Sequence, residues 1–127
     1  DRAACREGQF AAAAAAAATA PRAVVCGDFN LHEVEEEGTL MGALGAGYTD
    51  AWSAVRGGEP GFTVDPLLNP DCHDGAQDHL VPRRFDRVLG RGFVATSAVL
   101  VGTEPVPGLQ DVFPSDHFGV LVDLVEV

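Results

Sequence analysis

Four short apolar runs divide this chain, at 23–26, 84–89, 95–101 and 118–125, and glycine, proline or charge bounds each one. Their Val- and Leu-rich composition predicts strands. Residues 2–19 predict a helix: the eight alanines at 11–18 have the highest helix propensity, and Pro21 stops the run. That alanine run can pack as a close layer against a sheet, or act as a disordered low-complexity spacer. The acidic stretch Glu33–Glu37 leads into a second helix around Thr39–Leu44, which Gly45 and Gly47 end. Tyr48–Trp52 predicts a further helical or turn segment, Gly57–Gly61 a loop, and Phe62–Val64 a short strand. Two long surface loops follow, at 65–82 and 102–114. The order is an α+β arrangement, one mixed sheet backed by helices on one face. Several strands are apolar on both faces, and nothing in this chain remains to cover the second one.

Against that pattern, three strings put ionisable side chains where strands should be dry: Gly27-Asp28-Phe29-Asn30, Arg84-Phe85-Asp86-Arg87 and Ser115-Asp116-His117-Phe118. Buried charge is costly unless paired or metal-bound. Alternation places Val24, Cys26, Asp28 and Asn30 on one side of the first strand. Asp28 can activate a water or bind a cation there, and Asn30 can contact a phosphoryl oxygen. The other reading of Asp28 is an Asx-turn that closes the strand. In the second string, alternation groups Arg84, Asp86 and Val88. Asp86 can orient an imidazole or pair locally with an arginine. His117 is the candidate for proton transfer or charge stabilisation. Asp116 is a candidate metal ligand, and Ser115 can cap the turn.

Length and charge narrow the function. With 127 residues and 46% hydrophobic content, one folded domain is expected. The first residue is Asp rather than Met, which predicts a fragment of a longer protein. No run approaches the roughly 18 apolar residues of a membrane span. The net charge of −11 argues against non-specific nucleic-acid binding through bulk charge, although a bound cation inverts the local field. All eight basic residues are Arg, and Arg83, Arg84, Arg87 and Arg91 fall within nine positions. Such a cluster can fork onto phosphate, while Arg83 and Arg91 also fit a solvated strand edge. Three cysteines without paired spacing fit a reducing, intracellular compartment, nuclear or cytoplasmic, and Cys26 reads as a small buried hydrophobe. Cys72, His73 and His79 match no closed four-ligand zinc pattern, and His32 reads as a loop residue.

Taken in order, the three strings resemble the C-terminal half of the endonuclease/exonuclease/phosphatase superfamily, from about Gln9 to Val127. Asp50-Ala51-Trp52, Gly61-Phe62-Thr63 and Pro114–Gly119 are most similar to its type 2 tyrosyl-DNA phosphodiesterase branch, and sphingomyelinase-like members share the Asp-His-Phe pattern. Val64 stands where animal members of that branch carry an aromatic. The resemblance implies a four-layer α/β/β/α sandwich, of which residues 1–127 would be the C-terminal half, with the N-terminal half of the same domain as its partner. It also implies Mg²⁺ or Mn²⁺ and in-line attack of water on a phosphodiester, with a nucleic-acid substrate such as a DNA end. By position, Asp28 would orient or deprotonate the water, Asn30 would contact the phosphate and His117 would stabilise the phosphoryl oxygens. Asp86 would orient His117, Asp116 and Asp28 would serve the metal, and Arg84 and Ser115 would join Asn30 at the substrate. The principal metal-binding Glu of the family belongs to the first half, so this chain alone is expected to be inactive. The competing expectations are a non-catalytic half-domain that docks a partner and a lipid phosphodiesterase.

Overall fold

A computed structural model describes residues 2–31, 34–72 and 81–127. Helix α1 (Arg2–Ala17) leads through Pro21 into strand β1 (Ala23–Asp28), and helix α2 (Val34–Leu44) follows. A two-residue strand β2 (Thr49–Asp50) runs directly into helix α3 (Ala51–Arg56). After a 3₁₀ turn at Pro70–Cys72 come β3 (Asp86–Arg91), β4 (Phe93–Val101) and β5 (Gly119–Glu126).

The strands form two antiparallel sheets, β1-β3-β2 and the hairpin β4-β5. One mixed sheet was the sequence-based expectation. Only Gly92, at φ 75°, separates β3 from β4, and a Cβ there would stand 2.5 Å from Arg22 Cγ. The chain turns sharply at this glycine, and β4 then pairs with β5 alone. Antiparallel pairing also needs no long crossover. The fold class is α+β, as the pattern predicted.

The β1-β3 register sorts side chains onto two faces. Val25↔Leu89 and Gly27↔Arg87 turn towards the helices, and Val24↔Gly90, Cys26↔Val88 and Asp28↔Asp86 turn away. Phe10 of α1, Leu40 and Leu44 of α2, and Phe29, Leu31, Tyr48 and Leu89 make the core on the helical side. The alanine run is therefore a packing layer: Ala14 lies against this core. Arg91 donates from Nη2 to Ala17 O and Ala20 O, both at 2.7 Å, and its guanidinium lies 4.9 Å from the Tyr48 ring. It adds a donor to the carbonyls at the helix end, where Ala17 O also accepts from Ala20 N at 3.2 Å, so it is no solvated edge residue.

The other face is open. Cys26 is exposed there rather than buried, because its partner positions Val24 and Val88 look away from the helices. The hairpin has a similar row. Val94, Val99, Val101, Leu121 and Val125 are each 42–57% exposed, with Ser97 hydrogen-bonded to Asp123 among them. No helix among the described residues is long and apolar enough to cross a membrane.

Candidate active site

The first corner is the end of β1. Phe29 N donates to Phe85 O at 2.9 Å, which extends the β1-β3 ladder one step beyond Asp28. Phe29 and Leu31 both insert into the core, so the backbone must reverse between them, and Asn30 takes φ 50°. Asn tolerates this left-handed conformation better than most residues. Asn30 N donates to Asp28 Oδ1 at 2.8 Å, and its side-chain Nδ2 donates to Asp28 Oδ2 at 2.9 Å. The Asx-turn and the functional reading thus coexist. The turn fixes the carboxylate, each oxygen keeps a second lone pair, and Asn30 keeps a second amide proton.

The second corner begins where β3 starts. Asp86 is the register partner of Asp28, and its Oδ2 lies 2.8 Å from His117 Nδ1. The Asp86–His117 contact expected from sequence is present. Phe85 packs beside the imidazole, with ring centroids 6.3 Å apart. His117 sits in a tight turn: its N donates to Ser115 Oγ at 3.2 Å, and Ser115 Oγ donates to Asp116 Oδ1 at 3.2 Å. Ser115 therefore caps the turn, and Asp116 is exposed on the same rim.

Arg84 is elsewhere. Its Nη1 meets both oxygens of Asp50, at 2.9 and 2.8 Å, on the helical side. Arg87 joins it, with Nη1 2.6 Å from Glu37 Oε1 and 3.3 Å from Asp50 Oδ2. Alternation had grouped Arg84 with Asp86 on one face, and the family resemblance put it at the substrate. The strand, however, starts only at Asp86, and the consecutive amides of Phe85 and Asp86 both donate to Thr63 Oγ1 at 3.1 Å. Two successive N–H groups aimed at one acceptor break the two-residue alternation. Arg84 consequently falls on the side of Arg87. Asp50 also accepts from Ser53 N at 3.2 Å, so it caps α3 as it holds the arginines.

Thr63 and Asn69 received no role from sequence, although both are completely buried. Thr63 stands in the quoted Gly-Phe-Thr string, and its one signal is a hydroxyl between apolar neighbours. Asn69 lies in the segment read as a surface loop. It is buried because its Nδ2 donates to Ser115 O at 2.8 Å and its Oδ1 accepts from Asp71 N at 3.0 Å. Cys72 Sγ donates to Asn69 O, and burial pushes the Cys72 thiol pKa up. His32, His73 and His79 lie outside the described residues.

The chain is thus an α+β structure with two aspartates paired across a ladder, one held by an asparagine and the other by a histidine. The model of the Endonuclease/Exonuclease/phosphatase family covers residues 1–117, and the chain belongs to that family. Among solved structures it is similar to D. rerio TDP2 complexed with single strand DNA product, at TM-score 0.77 and 23% identity over 98% of this chain and 51% of that chain. Truncated Caenorhabditis elegans TDP2 is similar at TM-score 0.68 and 26% identity, over 91% of this chain and 45% of that one. The likeness agrees with the branch that the motifs resemble. The chain spans about half the length of the solved structures it matches. A comparison with curated proteins gave no match.

Proposed function

We propose that this chain supplies one half of a phosphodiesterase site, within a four-layer domain whose other half covers the open sheet face. The observation that carries the reading is the Asp86 Oδ2–His117 Nδ1 contact of 2.8 Å, one ladder position from the Asp28–Asn30 turn. Asp28 takes the proton of the attacking water as the new P–O bond forms and the bond to the leaving oxygen breaks. Asn30 offers its second amide proton to the phosphate. Asp86 fixes the imidazole through Nδ1, which leaves Nε2 for a phosphoryl oxygen, and an imidazolium held this way stabilises the charge that develops there. Ser115 shapes the turn that carries His117.

A divalent cation, Mg²⁺ or Mn²⁺, fits the chemistry of the donors, because Asp28, Asp86 and Asp116 offer hard oxygens. Among the described residues, however, no three His, Cys, Asp or Glu side chains converge. The described residues therefore do not complete a cation site by themselves. The metal dependence we propose requires a ligand from the other half of the domain.

The likeness to TDP2, one structure of which holds single strand DNA product, favours a DNA end as substrate. Arg84 is not part of the proposed substrate contact, since Asp50 occupies its guanidinium. A second reading rests on the exposed row Val94, Val99, Val101, Leu121 and Val125: a non-catalytic half-domain that docks a partner through this face. A strand-borne Glu upstream favours the enzyme. The test is the full-length protein with Mg²⁺ against DNA, RNA, lipid and 5′-phosphotyrosyl diesters. We expect cleavage that EDTA abolishes and that His117→Ala slows at least about 100-fold. Turnover near wild type in that variant overturns the role of His117.

A further inference from the structure

The contact between Asp86 and His117 joins residues 31 positions apart, on a strand start and on an exposed turn. Neither element holds the other by its own ladder, because β3 pairs with β1 and β2 while β5 pairs with β4. Something else must set the 2.8 Å separation. Among the described residues, the two fully buried polar side chains stand where that is decided. Thr63 Oγ1 accepts from Phe85 N and Asp86 N, which fixes the backbone on the aspartate side. The carbonyl of the same residue accepts from Phe118 N at 2.7 Å, which fixes the chain just after the histidine. Asn69 Nδ2 holds Ser115 O, just before the histidine. Asp71 Oδ2 accepts from Phe113 N at 3.2 Å, which ties the same segment further up the loop.

We infer that residues 63–69 form a positioning clamp for the catalytic pair, with Thr63 and Asn69 as its positioning residues. Thr63 is anchored in turn, since its N donates to Arg83 O at 2.9 Å and the Val64 and Arg83 backbones bond to each other. His117 is thus bracketed at positions 115 and 118 by one short segment, and that segment also grips Asp86. The hydroxyl is essential to the clamp. Thr63 is 0% exposed, and loss of its hydroxyl removes the acceptor that the Phe85 and Asp86 amides share. Neither Thr63 nor Asn69 is placed here in contact with a reacting atom. Their effect runs through the alignment of His117.

This inference rests on the phosphodiesterase reading for its kinetics, and has a readout independent of it. In the full-length protein, Thr63→Val should lower kcat at least about 10-fold with KM within about twofold, and Thr63→Ser should restore kcat. By NMR, the downfield Nδ1–H resonance of His117 should fade in Thr63→Val and persist in Thr63→Ser. A folded Thr63→Val protein with wild-type kcat and an unchanged His117 resonance overturns the clamp. Thr63→Ala repeats the comparison without added bulk if the valine variant does not fold. Amide exchange in the wild-type protein tests the clamp without any substitution: Phe85, Asp86 and Phe118 should exchange at least about 10-fold more slowly than Asp116. Equal rates refute it. If the wild-type protein cleaves no phosphodiester, the function reading fails, and the resonance and exchange measurements still decide the clamp.

Discussion

Asp28 and Asp86 stand opposite one another across β1 and β3, two carboxylates at one paired position of an antiparallel ladder. Like charges placed so are destabilising. Each has its own donor, Asn30 for Asp28 and His117 for Asp86, so the pair persists at the point where the proposed chemistry needs both. Asp28→Asn removes one charge and keeps the shape. The expected result is an unfolding free energy from urea titration equal to or above wild type, by up to about 1 kcal/mol, together with turnover at least about 100-fold lower. Lower stability with turnover retained would assign Asp28 to the scaffold alone.

Asp50 has the opposite character. It holds Arg84 and Arg87 on the helical side and caps α3, with its side chain 9% exposed. Asp50→Ala leaves two largely buried guanidinium groups with Glu37 as their shared carboxylate and Ser53 Oγ, 3.4 Å from Arg84 Nη2, as a neutral acceptor. Removal of one member of a buried pair costs about 3–5 kcal/mol. Denaturant unfolding should show a loss of that order, and a loss below about 1 kcal/mol would mean that Glu37 suffices.

Gly61 adopts φ 61°, and a Cβ there would run into the Trp52 indole. That indole donates from Nε1 to Glu59 O at 2.8 Å, so it is fixed from the other side. Gly61→Ala should cost at least about 1 kcal/mol from the left-handed backbone, and more from the displaced ring. The melting temperature and the Trp52 fluorescence should shift together. A melting temperature unchanged by the substitution would show that the ring moves freely.

The cysteines predict a labelling order. Cys5 and Cys26 are exposed, whereas Cys72 is half-buried and donates to Asn69 O, with a thiol pKa raised by burial. The thiolate is the reactive form, so at pH 8 Cys72 should react with iodoacetamide more slowly than the other two. Because its pKa is raised, its rate should keep climbing at a pH where a thiol of ordinary pKa has levelled off. Mass spectrometry of tryptic peptides reads this directly. Equal rates at pH 8 would place the Cys72 thiol in open water.

Much of the site was legible in the chain order. Strand alternation placed Asp28 at the end of a run, and the residues alone left Asp86 between an imidazole and a local arginine, with the family resemblance pointing to His117. The helix at 2–19, its stop before Pro21 and the strand at 23–26 follow from local propensity, which acts over a few neighbouring residues. Where the expectation failed, a contact distant in sequence had overridden a local rule. Arg84 leaves the face of Asp86 because Thr63, 21 residues upstream of Arg84, accepts two successive amides.

The sequence by itself determined the residue types of the candidate site and the α+β class, because composition and periodicity are local properties of the chain. The tertiary structure decided which side each arginine takes, that Cys26 faces outward, and that Asn69 is buried although its segment reads as a surface loop. It also decided that Thr63 and Asn69 bracket the turn that carries His117. These outcomes depend on hydrogen bonds between segments far apart, 55 residues for Phe118 N to Thr63 O and 74 for Arg91 Nη2 to Ala17 O, and no local window along the chain contains both partners.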